Sequence, residues 1–166
     1  MKSRFLILLI LLLLCPYVVI SRDRIVEFEL LVGKVEDSKI EAALKAKIET
    51  GWHIYYKDNG DFGIPTSFSF DDKMFIVKTH WPKPKLHIYR IEEDAFISFI
   101  YEGIVVFPMT IDLLKNSNGA EFLLTVEYAV CKEICIPKKE GIRLKIGSDY
   151  FIDKRVSNLI NEWNNL

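Results

Sequence analysis

The chain has 166 residues, half of them apolar and 13% aromatic, with a net charge of −1 and three cysteines. That length and apolar share suit one sizeable core in a single domain and exclude a disordered chain. The near-neutral balance leaves no basic face for nucleic acid.

Lys2 and Arg4 precede Phe5 to Ile20, a run of 16 residues without a charge, and the small Ser21 follows with Val19 two before it. This order predicts a secretory signal over residues 1–21, cleaved after Ser21. An uncleaved membrane anchor is the rival, although the run falls short of the ~17–25 residues that span a bilayer and Pro16 interrupts it. Cys15 follows Leu12-Leu13-Leu14. A lipidated cysteine needs a small residue before it, so Cys15 reads as a hydrophobe of the discarded peptide. Beyond residue 21, the 22 Lys and Arg, less Lys2 and Arg4, stand against 23 Asp and Glu, a net of about −3. The two cysteines left, Cys131 and Cys135, then lie in an oxidising compartment where a disulfide forms and persists.

From Ile25 to Val35, charged and apolar residues alternate as on a half-buried strand, and Ile40 to Ile48 pairs with it through the turn Glu36-Asp37-Ser38. After the Thr50-Gly51 break, Trp52 to Tyr56 is a short aromatic strand. Lys57 to Pro65 is dense in turn residues and reads as a loop. Thr66 to Phe70 and Met74 to Thr79 are strands about the Asp71-Asp72 turn. His80-Trp81-Pro82-Lys83-Pro84-Lys85 stays outside any sheet, because neither proline donates to a ladder. Leu86 to Ile91 is a brief edge strand, and Glu92-Glu93-Asp94 a solvated bend that turns the chain into the next element.

Phe96 to Tyr101 and Ile104 to Ile111 flank Glu102-Gly103, the pattern of a tight hairpin. Asn116 to Gly119 is a turn before the strand Glu121 to Val130. A last short strand follows the cysteines at Ile142, Leu144 and Ile146. Val156, Leu159, Ile160 and Trp163 then recur at helical steps, which predicts an amphipathic helix from Asp153 to Asn164 with Asp153 as N-cap. Many short strands and one terminal helix make an all-β antiparallel β-sandwich. The expected division is residues 1–21 signal, 22–148 sandwich and 149–166 C-terminal helix.

Cys131-Lys132-Glu133-Ile134-Cys135-Ile136-Pro137 lies between an alternating strand and a Pro-Lys-Lys break. Two thiols at this spacing close a small ring if the backbone turns between them, with Lys132, Glu133 and Ile134 at a hairpin tip. One helical turn also brings such residues together. The strand before Cys131 and Pro137 after Cys135 favour the hairpin.

Gly51-Trp52-His53-Ile54-Tyr55-Tyr56-Lys57, Gly60-Asp61-Phe62-Gly63-Ile64-Pro65-Thr66-Ser67, Trp81-Pro82-Lys83-Pro84, Tyr101-Glu102-Gly103 and Cys131 to Pro137 occur in an order that resembles the N-terminal periplasmic domain of the DsbD family of thiol:disulfide interchange proteins. The variant is the one whose cysteines follow C-K-x-x-C-x-P, and the likeness runs from about Val26 to Ile146. It implies an immunoglobulin-like sandwich with a reversible cysteine pair, placed in the periplasm. It also implies electron transfer from a membrane-embedded reductant to exported thioredoxin-like proteins. On this resemblance Cys135 forms the mixed disulfide and Cys131 resolves it. Three residues separate the cysteines, fewer than in the best-studied members. Trp81 to Phe96, with Tyr89 and Phe96, is the counterpart of the family's shielding aromatic loop, with no single cap residue assigned. The chain ends after its helix without a run of transmembrane segments or a C-terminal thioredoxin-like C-x-x-C domain, so the expectation is that either a separate protein reduces it or it has lost the relay role for something narrower.

Exchange requires a reachable, partly ionised thiol. Lys132, Lys138 and Lys139 favour the thiolate and Glu133 opposes it. One rival is a permanent staple within a non-catalytic interaction module. Another is binding of copper or another soft metal by the two thiolates and an imidazole, although His53, His80 and His87 have no local spacing to the cysteines. His53 reads instead as a packed strand residue, and His80 and His87 as loop surface. Trp52, Tyr55, Tyr56 and Trp81 read as core or cap aromatics. The thiol reading needs no cofactor. No acid pair, G-x-S-x-G or phosphate loop is present, so hydrolase and nucleotide chemistry have no support.

Overall fold

The computed structural model describes residues 24–71, 75–114, 121–145 and 151–166. The expected leader with Cys15, the Asn116 to Gly119 turn, Met74 and Ile146 lie outside those residues. In chain order come β1 (Val26–Glu36), β2 (Lys39–Ile48), β3 (His53–Gly60), β4 (Ser67–Phe70), β5 (Phe75–Thr79), β6 (Lys85–Ile91), β7 (Asp94–Tyr101), β8 (Ile104–Leu113), β9 (Glu121–Cys131), β10 (Cys135–Lys145), β11 (Phe151–Ile152) and the helix α1 (Lys154–Asn164).

The strands form two antiparallel sheets, one ordered β11-β1-β2-β8-β5 and the other β10-β9-β3-β7-β6, with β4 also paired to β9. The fold is an immunoglobulin-like β-sandwich. Alternation sends Leu44, Val105 and Phe107 of the first sheet and Ile54, Leu124, Val126 and Val130 of the second into one core, each 2% exposed or less. Burial of each such side chain is worth about 1.5–3 kcal/mol. Between β5 and β6, Trp81 closes one part of this core by stacking on Phe68, ring centroids 4.7 Å apart. The Tyr101 hydroxyl donates to the Pro82 carbonyl at 2.6 Å and ties down the proline-rich crossing.

Helix α1 lies on the outer face of the first sheet, where Ile160 packs on Ala43 and Val106. Asp153 caps it as expected, accepting from the backbone N–H groups of Arg155 and Val156. The helix sits close because β1 has a glycine at its register shift: a Cβ at Gly33 would stand 2.9 Å from Ile160 Cδ1.

Three expectations change. Glu102-Gly103 does not close a hairpin, since β7 belongs to the second sheet and β8 to the first. Gly103 has the expected positive φ of 67°, but its carbonyl accepts from Ile48 N–H at 2.7 Å while the chain crosses between layers. A period of two reports a strand without reporting its sheet. Second, Lys57 to Pro65 is not all loop. β3 runs on to Gly60, with its register to β7 shifted between Tyr55 and Gly60. Third, the strand after the cysteines begins at Cys135 and includes Pro137. β10 is the edge of its sheet, where a proline is tolerated.

Candidate functional site

β9 and β10 form a hairpin whose register sets Cys135 opposite Cys131. Lys132, Glu133 and Ile134 make the tip, closed by a hydrogen bond from Lys132 N–H to the Ile134 carbonyl at 3.2 Å. The two sulfurs are joined, with Cα atoms 4.1 Å apart. Their surroundings differ sharply: Cys131 is 1% exposed, whereas Cys135 is open to solvent.

The pairing of neighbouring strands explains this difference. Cys131 stands opposite His53 of β3, and Tyr55 stands opposite Ile100 of β7. Residues two apart on a strand share a face. The cysteines, His53, Tyr55, Ala129 and Ile100 therefore lie on the outer face of the second sheet, while Ile54, Val130 and Tyr101 point into the core. Tyr55, Ile100 and Ala129 pack around Cys131. Cys135 begins the edge strand and has no such cover on its outer side.

The β6–β7 hairpin extends the same face with His87, Tyr89 and Ile91. The His53 and His87 rings stack with centroids 5.7 Å apart, and Tyr89 Oη lies 3.1 Å from His53 Nε2. Tyr55 Oη is 3.8 Å from Cys135 Sγ. The turn after β3 folds over these rings. Phe62 meets Phe96 edge-on at 4.7 Å and Tyr89 at 6.2 Å, and Gly63 lies on the Tyr55 ring. Tyr55, Phe62, Tyr89, Ile91, Cys131 and Cys135 with their neighbours line an open cleft of about 230 Å³.

Burial and the neighbouring His87 lower the His53 pKa below 6.5, with Glu102 acting weakly the other way. Burial and then the neighbouring Tyr89 hydroxyl raise that of Tyr55, so both phenol and imidazole are neutral at neutral pH. The expected lysine cluster does not form. Lys139 pairs with Glu127 at 2.6 Å. Lys138, opposite Tyr128, is on the face turned away from the cysteines. Lys132 and Glu133 alone of these charged residues line the cleft.

The structure brings Cys131, Cys135, Tyr89 and Phe96 to one face, and Trp81 to another place, inside the sandwich. His87 is not loop surface but a strand residue stacked on His53. His80 lies at the end of β5, its N–H donating to Pro108 of β8 at 2.8 Å. Among the described residues no group of three or more His, Cys, Asp or Glu side chains is disposed to hold a metal ion. The contributions of His53, Tyr55, Phe62 and His87 were missed in the sequence. For three of them the signal was present: His53 and Tyr55 share a strand face, as do His87 and Tyr89. Phe62 sits in a run of turn residues that carries no periodicity.

Residues 21–145 match the family described as the N-terminal domain of the thiol:disulfide interchange protein DsbD. The chain belongs to this family. The DsbD N-terminal match spans both sheets and ends before β11 and α1. Among solved structures, the N-terminal periplasmic domain of ScsB from Proteus mirabilis superposes with a TM-score of 0.66 at 15% identity, covering 86% of this chain and 54% of that one. The chain thus spans about half the length of the ScsB structure, and the likeness is one of fold. The reduced DsbD N-terminal domain of Neisseria meningitidis aligns with a TM-score of 0.43 at 12% identity, over 72% of this chain and 84% of that one. No curated protein matches the chain in sequence.

Proposed function

We propose that the chain is an exported thiol:disulfide exchange domain in which Cys131 and Cys135 cycle between disulfide and dithiol. The observation that carries this reading is the asymmetry of the pair, one sulfur open to solvent and the other 1% exposed. Exchange needs a sulfur that a partner can reach in line with its own disulfide, and a second that stays hidden until the mixed disulfide forms. Cys135 fits the first role and Cys131 the second. Phe62, Ile91 and Ile134, respectively 39%, 56% and 69% exposed, surround the open sulfur with apolar surface on which a partner can dock. A permanent staple is a poor account of the same feature. Its ring closes so few residues that it removes less unfolded-state entropy than the roughly 3 kcal/mol of a 15-residue loop.

In the reductive direction, the Cys135 thiolate attacks one sulfur of a partner disulfide and the other partner sulfur leaves with the electron pair. Cys131 then attacks Cys135 and frees the partner as a dithiol. The same atoms run the reverse reaction. By family membership the partners are exported thioredoxin-like proteins on one side and a membrane-embedded thiol reductant, carried on a separate chain, on the other, with the periplasm as the compartment. No described helix is long and apolar enough to cross a membrane.

The test is to trap the intermediate. Cys131→Ser, exposed to a thioredoxin-like protein in its disulfide form, is expected to accumulate a mixed disulfide through Cys135. Cys135→Ser is expected to accumulate none. Equal trapping by both variants, or trapping only through Cys131, would overturn the assignment.

A further inference from the structure

Among the described residues β6 ends the second sheet as an open edge. Leu86 and Ile88 of β6 stand opposite Phe99 and Ile97 of β7, and directly opposed residues share a face, here the one turned from the cysteines. Leu86, Ile88 and Ile97 are exposed, so the first sheet does not cover them. The backbone of β6 is open as well. Ile97 turns its polar groups away from β6, its N–H donating to Asp61 Oδ2 and its carbonyl accepting from Asp61 N–H, each at 2.8 Å. Ile88 and Ile97 are therefore a pair without ladder hydrogen bonds between them, and such pairs alternate with bonded ones along an antiparallel ladder. Leu86, Ile88 and Arg90 all direct their N–H and C=O groups outward from the sheet.

Open edges are ordinarily guarded by shortness, by lysine or by proline. The other sheet ends follow this rule. β11 has two residues, β5 has five with Lys78 among them, and β10 carries Pro137, Lys138 and Lys139. β6 has seven residues and no proline, and Leu86-His87-Ile88-Tyr89 runs through it without a lysine or an acid. Charge is also divided between its two ends. Lys83 precedes the strand, while Glu92, Glu93 and Asp94 follow it at the turn. Neither Lys83 nor Glu93 takes part in the ion pairs among the described residues, whereas Lys85 is tied to Glu102 at 3.1 Å.

We propose that β6 pairs antiparallel with β6 of a second copy of this chain, joining the second sheets of the two copies edge to edge. The two-fold axis passes between the two Ile88 residues. Leu86 of each copy then faces Arg90 of the other, so the outward N–H and C=O groups of one edge meet those of the other. The same register sets Lys83 of each copy beside Glu93 of the other, and the basic end of one strand meets the acidic end of its mate. A parallel pairing would set like charges together and leave the groups out of step. Leu86, Ile88 and Ile97 of both copies merge into one apolar strip across the seam. An axis through an antiparallel seam stands perpendicular to the sheet and does not exchange its faces, so both cysteine clefts open on the same side. The contact is isologous and closes at two copies. It adds an assembly to the exchange reading without depending on it.

Sedimentation equilibrium of the whole chain over a dilution series, with the cysteines oxidised, tests the proposal. Wild type is expected to show a monomer–dimer equilibrium. Ile88→Lys sets two ammonium groups against each other at the axis and is expected to weaken association at least about tenfold. Its site is half-exposed, and far-UV circular dichroism checks that the fold is kept. Lys83→Glu alters only an exposed side chain outside the strand, so it serves even if Ile88→Lys folds poorly. It is expected to weaken association about threefold or more, because symmetry removes two exposed ion pairs at once. Adding Glu93→Lys to Lys83→Glu restores opposite charges across the seam and is expected to bring association back to within about twofold of wild type. A wild-type chain that stays monomeric at every dilution would overturn the proposal and leave the edge to a strand of another protein. Association unchanged by Ile88→Lys, or a Lys83→Glu defect that Glu93→Lys deepens, would overturn this seam in favour of another contact.

Discussion

Gly63 lies on the ring of Tyr55 with no room for a side chain: a Cβ at position 63 would stand 2.2 Å from Tyr55 Cζ, and the backbone φ there is +96°. The turn that carries Phe62 is therefore seated directly on the phenol that reaches Cys135. Asn59 holds this turn by donating from its side-chain amide to the Phe62 and Gly63 carbonyls at 2.9 and 3.0 Å. Gly63→Ala is expected to unseat it, at a cost of about 1–3 kcal/mol from the strained backbone and the clash. It is also expected to speed reduction of the disulfide by dithiothreitol. Urea unfolding and stopped-flow reduction measure the two effects. Reduction at the wild-type rate would mean that this turn does not cover the site.

Stability is expected to fall as the pH drops below about 6.5. Burial lowers the pKa of His53 in the folded chain. Between that lowered value and the ordinary value of about 6.5, the unfolded chain binds the extra proton, so stability rises with pH through this window. Urea midpoints at pH 5.5 and 7.5 should differ in the wild type and differ less in His53→Gln. A wild-type midpoint that is higher at pH 5.5 would contradict this account of the site.

The two layers and the terminal helix were legible because their patterns are local. Alternation in β1, β2 and β9 and the helical recurrence of Val156, Leu159, Ile160 and Trp163 each follow from one face meeting a core. The cysteine hairpin was legible too, since the strand running into Cys131 and the proline after Cys135 favour a hairpin over a helical turn. What was hidden depends on pairing across the sheet. Nothing near His53 in sequence signals that it stands opposite Cys131, because register is set by contacts far along the chain. Gly103 misled for a related reason. Its positive φ suits a tight turn whether the next strand pairs with the last or crosses to the other layer.

Helix α1 and the cysteine pair belong to opposite layers, so their perturbations should separate. Ile160→Ala removes a side chain 4% exposed between α1 and the first sheet. A loss of about 2–4 kcal/mol is expected, as for other buried large-to-small changes. The rate of exchange with oxidised glutathione should not change. A change in that rate without unfolding would show coupling between the layers.

At the base of the cysteine hairpin, Tyr128 of β9 donates its hydroxyl to Glu140 Oε1 of β10 at 2.6 Å. Tyr128→Phe is expected to lower stability by about 1 kcal/mol, the ordinary net worth of one such hydrogen bond. Disulfide formation should survive it. Differential scanning calorimetry of the oxidised protein checks the first effect and thiol counting the second.

On the proposed function, the Cys131–Cys135 disulfide is made to be broken. Its reduction potential, measured by equilibrating the protein with glutathione buffers and trapping free thiols, tests this most directly. A value between about −180 and about −270 mV, the span of several catalytic redox proteins, is the predicted result. A value below about −300 mV, where structural disulfides lie, would contradict it.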